Sequence, residues 1–173
     1  MTANLLTALK TLEAQRAVGA STARGQGKKG LVRRIRKSLM KVHLIAFSGA
    51  TDVRFARILD AETHRICREL PKGARSWGLA RKCLNIFLRN CAYNAHLRTA
   101  FGLRGIESFL EIPLDSKVVT ELKAQFPRGL LPRWCGVKYV NPGESEVFQV
   151  AAGEVAKARS VHRIHLDAFF WAK

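Results

Sequence analysis

The stretch WGLARKCLNIFLRN, residues 77–90, reads as a buried helix that nevertheless carries Arg81, Lys82, Asn85 and Arg89. Leu84, Leu88 and Ala95 fall on one side of such a helix. Lys82, Asn85, Arg89 and His96 fall on the other, because spacings of 3, 4 and 7 residues return to one face. The periodicity predicts a helix running to about His96. A lysine in this setting either snorkels to solvent or presents an amine to a cavity. Both readings stand on these residues alone.

Helical spacing continues on either side. Upstream, TDVRFARILDAETHRICREL (51–70) sets Val53, Phe55, Ile58, Leu59, Ile66 and Leu70 near the helical period, with Thr51 or Asp52 as N-cap and Pro71 as stop. NLLTALKTLEAQRA (4–17) repeats leucine at 5, 6, 9 and 12, and LVRRIRKSLMKVHLIAF (31–47) aligns Leu31, Ile35 and Leu39; the Gly/Ser-rich segment 18–30 joins them as a loop. Downstream, Pro113 breaks the pattern, leaving Asp115 to cap a helix from Ser116 to about Gln125. Residues 127–143 are irregular, a helix is predicted over 144–158, and VHRIHLDAFFWAK (161–173) closes the chain as a largely buried helix. Strand patterns are few and no repeat is present. The expected class is all-α: one compact helical domain of two lobes, with a basic part at 1–50, a core at 51–126, and an irregular loop with the last helices at 127–173.

Charge narrows the partners. Thirty Lys and Arg stand against thirteen Asp and Glu, a net charge of +17 with a pI near 10.6, so a polyanion is the expected partner and double-stranded DNA the first candidate. No acidic residue occurs from Ala14 through Thr51, and Arg33, Arg34 and Lys37 are the cations expected to follow phosphates there; a solvated cationic helix is the plainer reading. With 47% hydrophobic residues the chain can build a core. No run approaches the ~18 apolar residues of a membrane span, and the start lacks a secretory pattern, so a cytoplasmic monomer is expected. Cys67, Cys83, Cys91 and Cys135 include no CxxC pair and read as small buried hydrophobes; His162 and His165 lack a third ligand at a telling distance, so neither a metal nor a cofactor is expected.

Two motifs carry a family likeness. LPKGARSWGLARKCLN (70–85) offers Leu70, Pro71, Gly73 and Gly78, followed by Arg81, Lys82 and Asn85 in an R-K-x-x-N spacing; IPLDSKVV (112–119) sets Asp115 at a helix start between apolar residues. This set resembles the helix-hairpin-helix DNA glycosylases, most strongly over 51–126, and among them the archaeal oxoguanine enzymes with a divergent hairpin. A small stand-alone chain of this kind is also similar to bacterial phage-defence glycosylases, which remove glucosylated hydroxymethylcytosine. The chain departs from the family in extra residues between Pro71 and Gly78, a separation of 33 positions between Lys82 and Asp115, and no iron–sulfur cysteine loop. The resemblance implies base excision from DNA, with Lys72, Gly73, Arg75, Gly78 and Arg81 on the phosphates. It also implies a Schiff base on Lys82 where the amine attacks, or hydrolysis alone where Lys82 only contacts DNA.

The chemistry explains the residue types. Breaking an N-glycosidic bond builds positive charge on the sugar, which a carboxylate near C1′ stabilises; Asp115 is the candidate, against a purely structural N-cap. Asp167, set among aromatics in IHLDAFFW, needs a partner and is the reserve carboxylate, a salt bridge or cap being its plainer role. An extruded base needs flat walls, for which Trp77, Trp134, Tyr93 and Phe87 are the candidates, ordinary packing being the alternative. The expected function is therefore a DNA glycosylase, acting on glucosylated hydroxymethylcytosine or on an oxidised purine. A non-enzymatic DNA- or RNA-binding protein, or a component of a larger assembly, is the competing class.

Overall fold

Polar side chains decide where most of the helices begin. The computed structural model describes residues 2–22 and 29–172, and in it the chain forms α1 (Ala3–Ala17), α2 (Leu31–Met40), α3 (Asp52–Glu69), α4 (Trp77–Tyr93), α5 (Ala95–Ala100), α6 (Ser116–Lys123), α7 (Pro142–Ala158) and α8 (Leu166–Trp171). Thr2, Thr51, Ser76, Asn94, Asp115 and Asn141 each accept a first-turn N–H of the helix that follows, satisfying donors that have no intrahelical partner. No strand occurs among the described residues, and the protein is all-α as the periodicity predicts.

The boundaries differ from expectation where a polar residue intervenes. α4 stops at Tyr93 because Asn94 turns extended and its Oδ1 accepts the N–H groups of His96 and Leu97, starting α5. His96 therefore leaves the α4 stripe and is exposed. α6 ends at Lys123, and the final segment is a 3-10 turn, Arg163–His165, leading into α8. That segment is less buried than its composition predicts, with Phe169 and Trp171 on the surface. Of the predicted loop at 18–30, residues 23–28 lie outside the described residues.

Burial is divided between two apolar clusters. One takes Ile35, Leu39, Phe47, Phe55, Leu84 and Phe87 from the first half of the chain; the other takes Val118, Leu122, Phe148, Leu166 and Phe170 from the last third. Each side chain so buried contributes about 1.5–3 kcal/mol relative to exposure. α4 supplies Leu79 through Ala92 to the first cluster and rests Trp77 against the second.

Two sets of hydrogen bonds fix the frame. Lys10 Nζ on α1 donates to the carbonyls of Met40 and Val42 at 2.8 and 2.7 Å, at the end of α2. Arg36 on α2 in turn donates to Val18 and Gln15 carbonyls at 2.9 and 3.2 Å, at the end of α1. Each helix caps the other's carbonyls with a cation, which also suits the partial negative charge of a helix C-terminus. The connector 110–115 is held between α4 and α7. Asn85 Oδ1 accepts the Glu111 N–H at 3.2 Å, while the Gln149 side chain accepts the Ile112 N–H at 3.0 Å and donates to its carbonyl at 2.9 Å. This connector ends at Asp115.

Candidate functional site

Asp115 is placed by its own helix. One carboxylate oxygen accepts the Val118 N–H at 2.9 Å as the cap of α6, and the other accepts from Lys82 Nζ at 3.1 Å. Lys82 comes from the second turn of α4, and the two side chains are 12% and 19% exposed, so the pair is largely withdrawn from water. Residues 33 positions apart in sequence thus meet at one point.

The pair lines a cleft of about 550 Å³ whose wall also includes Arg16 from α1, Arg89 from α4, and Asp167 and Trp171 from α8. Arg89 donates to Asp167 in a second ion pair beside the first. Burial raises the Asp167 carboxyl above its ordinary value and the negative charge of Asp115 raises it further, while the Arg89 guanidinium opposes both. The cleft therefore presents two carboxylates, Asp115 and Asp167, and four cations, Arg16, Lys82, Arg89 and Lys117, around a space within the range of small-molecule sites.

The predicted aromatics stand elsewhere. None of Trp77, Trp134, Tyr93 and Phe87 lines this cleft. Phe87 is wholly buried in the first cluster, so its assignment to a base pocket is corrected. Trp77 packs under the Arg81 guanidinium, 5.2 Å from the ring centroid, and its buried indole N–H has no protein partner. Trp134 packs edge-on against Phe148, and its N–H donates to Ser116 Oγ at 3.1 Å, behind the cleft wall. Tyr93 lies in an adjoining hollow shared with Arg16 and Arg89, stacked on His165 with its hydroxyl 2.6 Å from Nδ1.

Two assignments to the DNA surface are also corrected. Arg81 is only 8% exposed: it grips Glu111 through two bonds of 2.7 Å and Asp60 through a third of 2.7 Å, which commits its fork to the interior. Gly78 is a packing glycine, since a Cβ there would lie 2.3 Å from the Val137 carbonyl and 2.8 Å from Val140 Cβ. Lys72, Gly73 and Arg75 remain at least partly exposed in the turn before α4, as do Arg33, Arg34 and Lys37 on α2.

Sequence reasoning missed Arg16 and Trp171 as neighbours of the Lys82 and Asp115 pair. Neither sits in a motif, and only the packing of α1 and α8 beside α4 and α6 brings them there. The thiols divide as well: Cys83 and Cys91 are buried, Cys67 is half-buried, and Cys135 is exposed, against the expectation that all four pack inside. Among the described residues no helix is long and apolar enough to cross a membrane, and no group of three or more His, Cys, Asp or Glu is gathered as for a metal.

Comparison with known proteins adds no assignment: no family model, no curated protein and no solved structure matches the chain.

Proposed function

We propose that this protein is a DNA glycosylase that holds an extruded nucleotide in the cleft of Lys82 and Asp115 and breaks its N-glycosidic bond. The observation that carries the reading is the meeting of an amine and a carboxylate, 3.1 Å apart, on the wall of a cleft in a chain of net charge +17. A polyanionic substrate is drawn by the charge, and the pair supplies the two groups that base excision uses.

As the base departs with the bonding electrons, C1′ becomes cationic, and the Asp115 carboxylate stabilises that charge. Water then adds to C1′, or Lys82 does. For the second route the Lys82 ammonium first gives up a proton to water, so that Asp115 stays ionised, and the freed amine attacks C1′. The C1′–O4′ bond then breaks, O4′ taking up a proton as the nitrogen loses its second one, to give a Schiff base, and loss of a C2′ proton to water expels the 3′ phosphate and cuts the strand. The cleft, about 550 Å³, has room for an extruded nucleotide; glucosylated hydroxymethylcytosine of phage DNA is the first substrate to try and oxidised guanine the second.

The test is to incubate the protein with each DNA and follow free base, abasic sites and borohydride-trapped complex. Asp115→Asn is expected to stop base release while leaving DNA binding intact, and Lys82→Ala to remove the trapped complex. Base release that survives Asp115→Asn would overturn the assignment. Tight, salt-sensitive binding with no chemistry on any of these substrates would leave the pair as a structural ion bridge in a DNA-binding protein.

A further inference from the structure

Trp171 is the aromatic residue of the cleft that contains Lys82 and Asp115, and its exposure is not explained by packing. α8 is anchored through Leu166 and Phe170, both wholly buried, whereas Trp171 is 58% exposed. An indole left in water forgoes a large apolar burial, and a position that needed only solubility would be served by a polar side chain. The Lys117 ammonium lies over its ring, 5.7 Å from the centroid, and Lys117 also lines the cleft. A π-face beside a cation, at the wall of a cleft holding a sugar-directed amine and carboxylate, matches what an unstacked nucleotide presents: a flat base and a phosphate.

We infer that Trp171 is the platform on which the extruded base stacks, with Lys117 turning from the indole to the neighbouring phosphate when the base arrives. The inference rests on the glycosylase reading for the identity of the guest, but it assigns a binding role that can be measured without chemistry. Stacking is sequence-tolerant, because every base has a π-face, so Trp171 sets affinity for the extruded base as a class and not the choice among bases. Trp171 is thereby a positioning residue, and Lys82 and Asp115 remain the groups directed at the sugar.

The experiment compares the full chain with its Trp171→Ala and Trp171→Phe variants on two duplexes. One carries a single unpaired, extrahelical adenine nucleotide; the other carries a tetrahydrofuran abasic analogue at the same position. Affinities are read by fluorescence anisotropy. The unaltered protein is expected to prefer the base-bearing duplex. Trp171→Ala should weaken that duplex roughly tenfold or more while leaving the abasic duplex unchanged, and Trp171→Phe should restore most of the preference. Equal affinities for the two duplexes in the unaltered protein, or equal weakening of both by Trp171→Ala, would overturn the inference. Circular dichroism melting checks that the surface truncation leaves the fold intact. The two proposals fail separately. A Trp171-dependent preference without base release from any modified DNA removes the glycosylase reading alone; base release insensitive to Trp171→Ala, with no affinity preference, removes the platform alone.

Discussion

Asp115 holds two positions at once, capping α6 and pairing with Lys82, and substitutions can separate them. Asparagine caps a helix about as well as aspartate but leaves the largely buried Lys82 ammonium without its counter-charge, so Asp115→Asn isolates the cost of the ion pair in urea unfolding, and Asp115→Ala should cost about 1 kcal/mol more for the lost cap. Arg81→Met is expected to be far more damaging, by about 3–5 kcal/mol, because it leaves Glu111 enclosed without its cation. That role was hidden in the sequence: its partners Asp60 and Glu111 lie 21 and 30 positions away, outside any helical period. Asp115, by contrast, was legible, since proline followed by an acid before an apolar run marks a helix start. Glu69 offers a pH test. Burial pushes its carboxyl up, but the Ser38 hydroxyl, Lys41 and Arg65 outweigh burial and hold it at about 2, against an ordinary 4.5. A depressed acid stabilises the fold above its unfolded value, and that contribution is lost as pH falls through the folded one. The stability penalty of Glu69→Gln should therefore be full at neutral pH, shrink below about 4.5 and vanish near 2.

Elements were read well where a cap and a period agreed and poorly where a single polar side chain reset the chain. Thr51 and Pro71 bracket α3 as expected, while Asn94 splits a helix that periodicity alone carries to His96. The family resemblance put Gly73, in the turn before α4, and Gly78, in its first turn, on the phosphates. Gly78 instead admits the backbone of the 3-10 turn Val137–Tyr139, which lies some sixty residues downstream and leaves no local trace. Gly78→Ala should destabilise the protein by about 1–3 kcal/mol and loosen that turn, visible as faster amide exchange at Val140. The mutual capping of α1 and α2 predicts a coupled response: Lys10→Met should speed exchange at both helix ends, because Arg36 loses its aligned acceptors when the pair separates. Retained protection on α1 would show that the two caps act independently.

Across the whole molecule at least seven of the thirteen acids are drawn into ion pairs while the cations remain in excess. Glu13, Asp60, Glu62, Glu69, Glu111, Asp115 and Asp167 are all paired with Lys or Arg. Replacing Arg33, Arg34 and Lys37 together by glutamine should weaken DNA binding without regard to sequence and lower the salt slope by roughly 0.9 for each phosphate the protein no longer neutralises. An unchanged slope would show that these three cations neutralise no phosphate. Fold class and charge could be read from the chain because periodicity and composition are sums over many residues. The cleft could be read only in part, because its wall joins Arg16 to Trp171 through packing that no short window contains. That wide span has a bearing on biosynthesis. A nascent polypeptide emerging from the ribosome lacks one wall of the cleft until residue 171 is out and α8 has docked, so whatever the cleft holds is enclosed only after that docking.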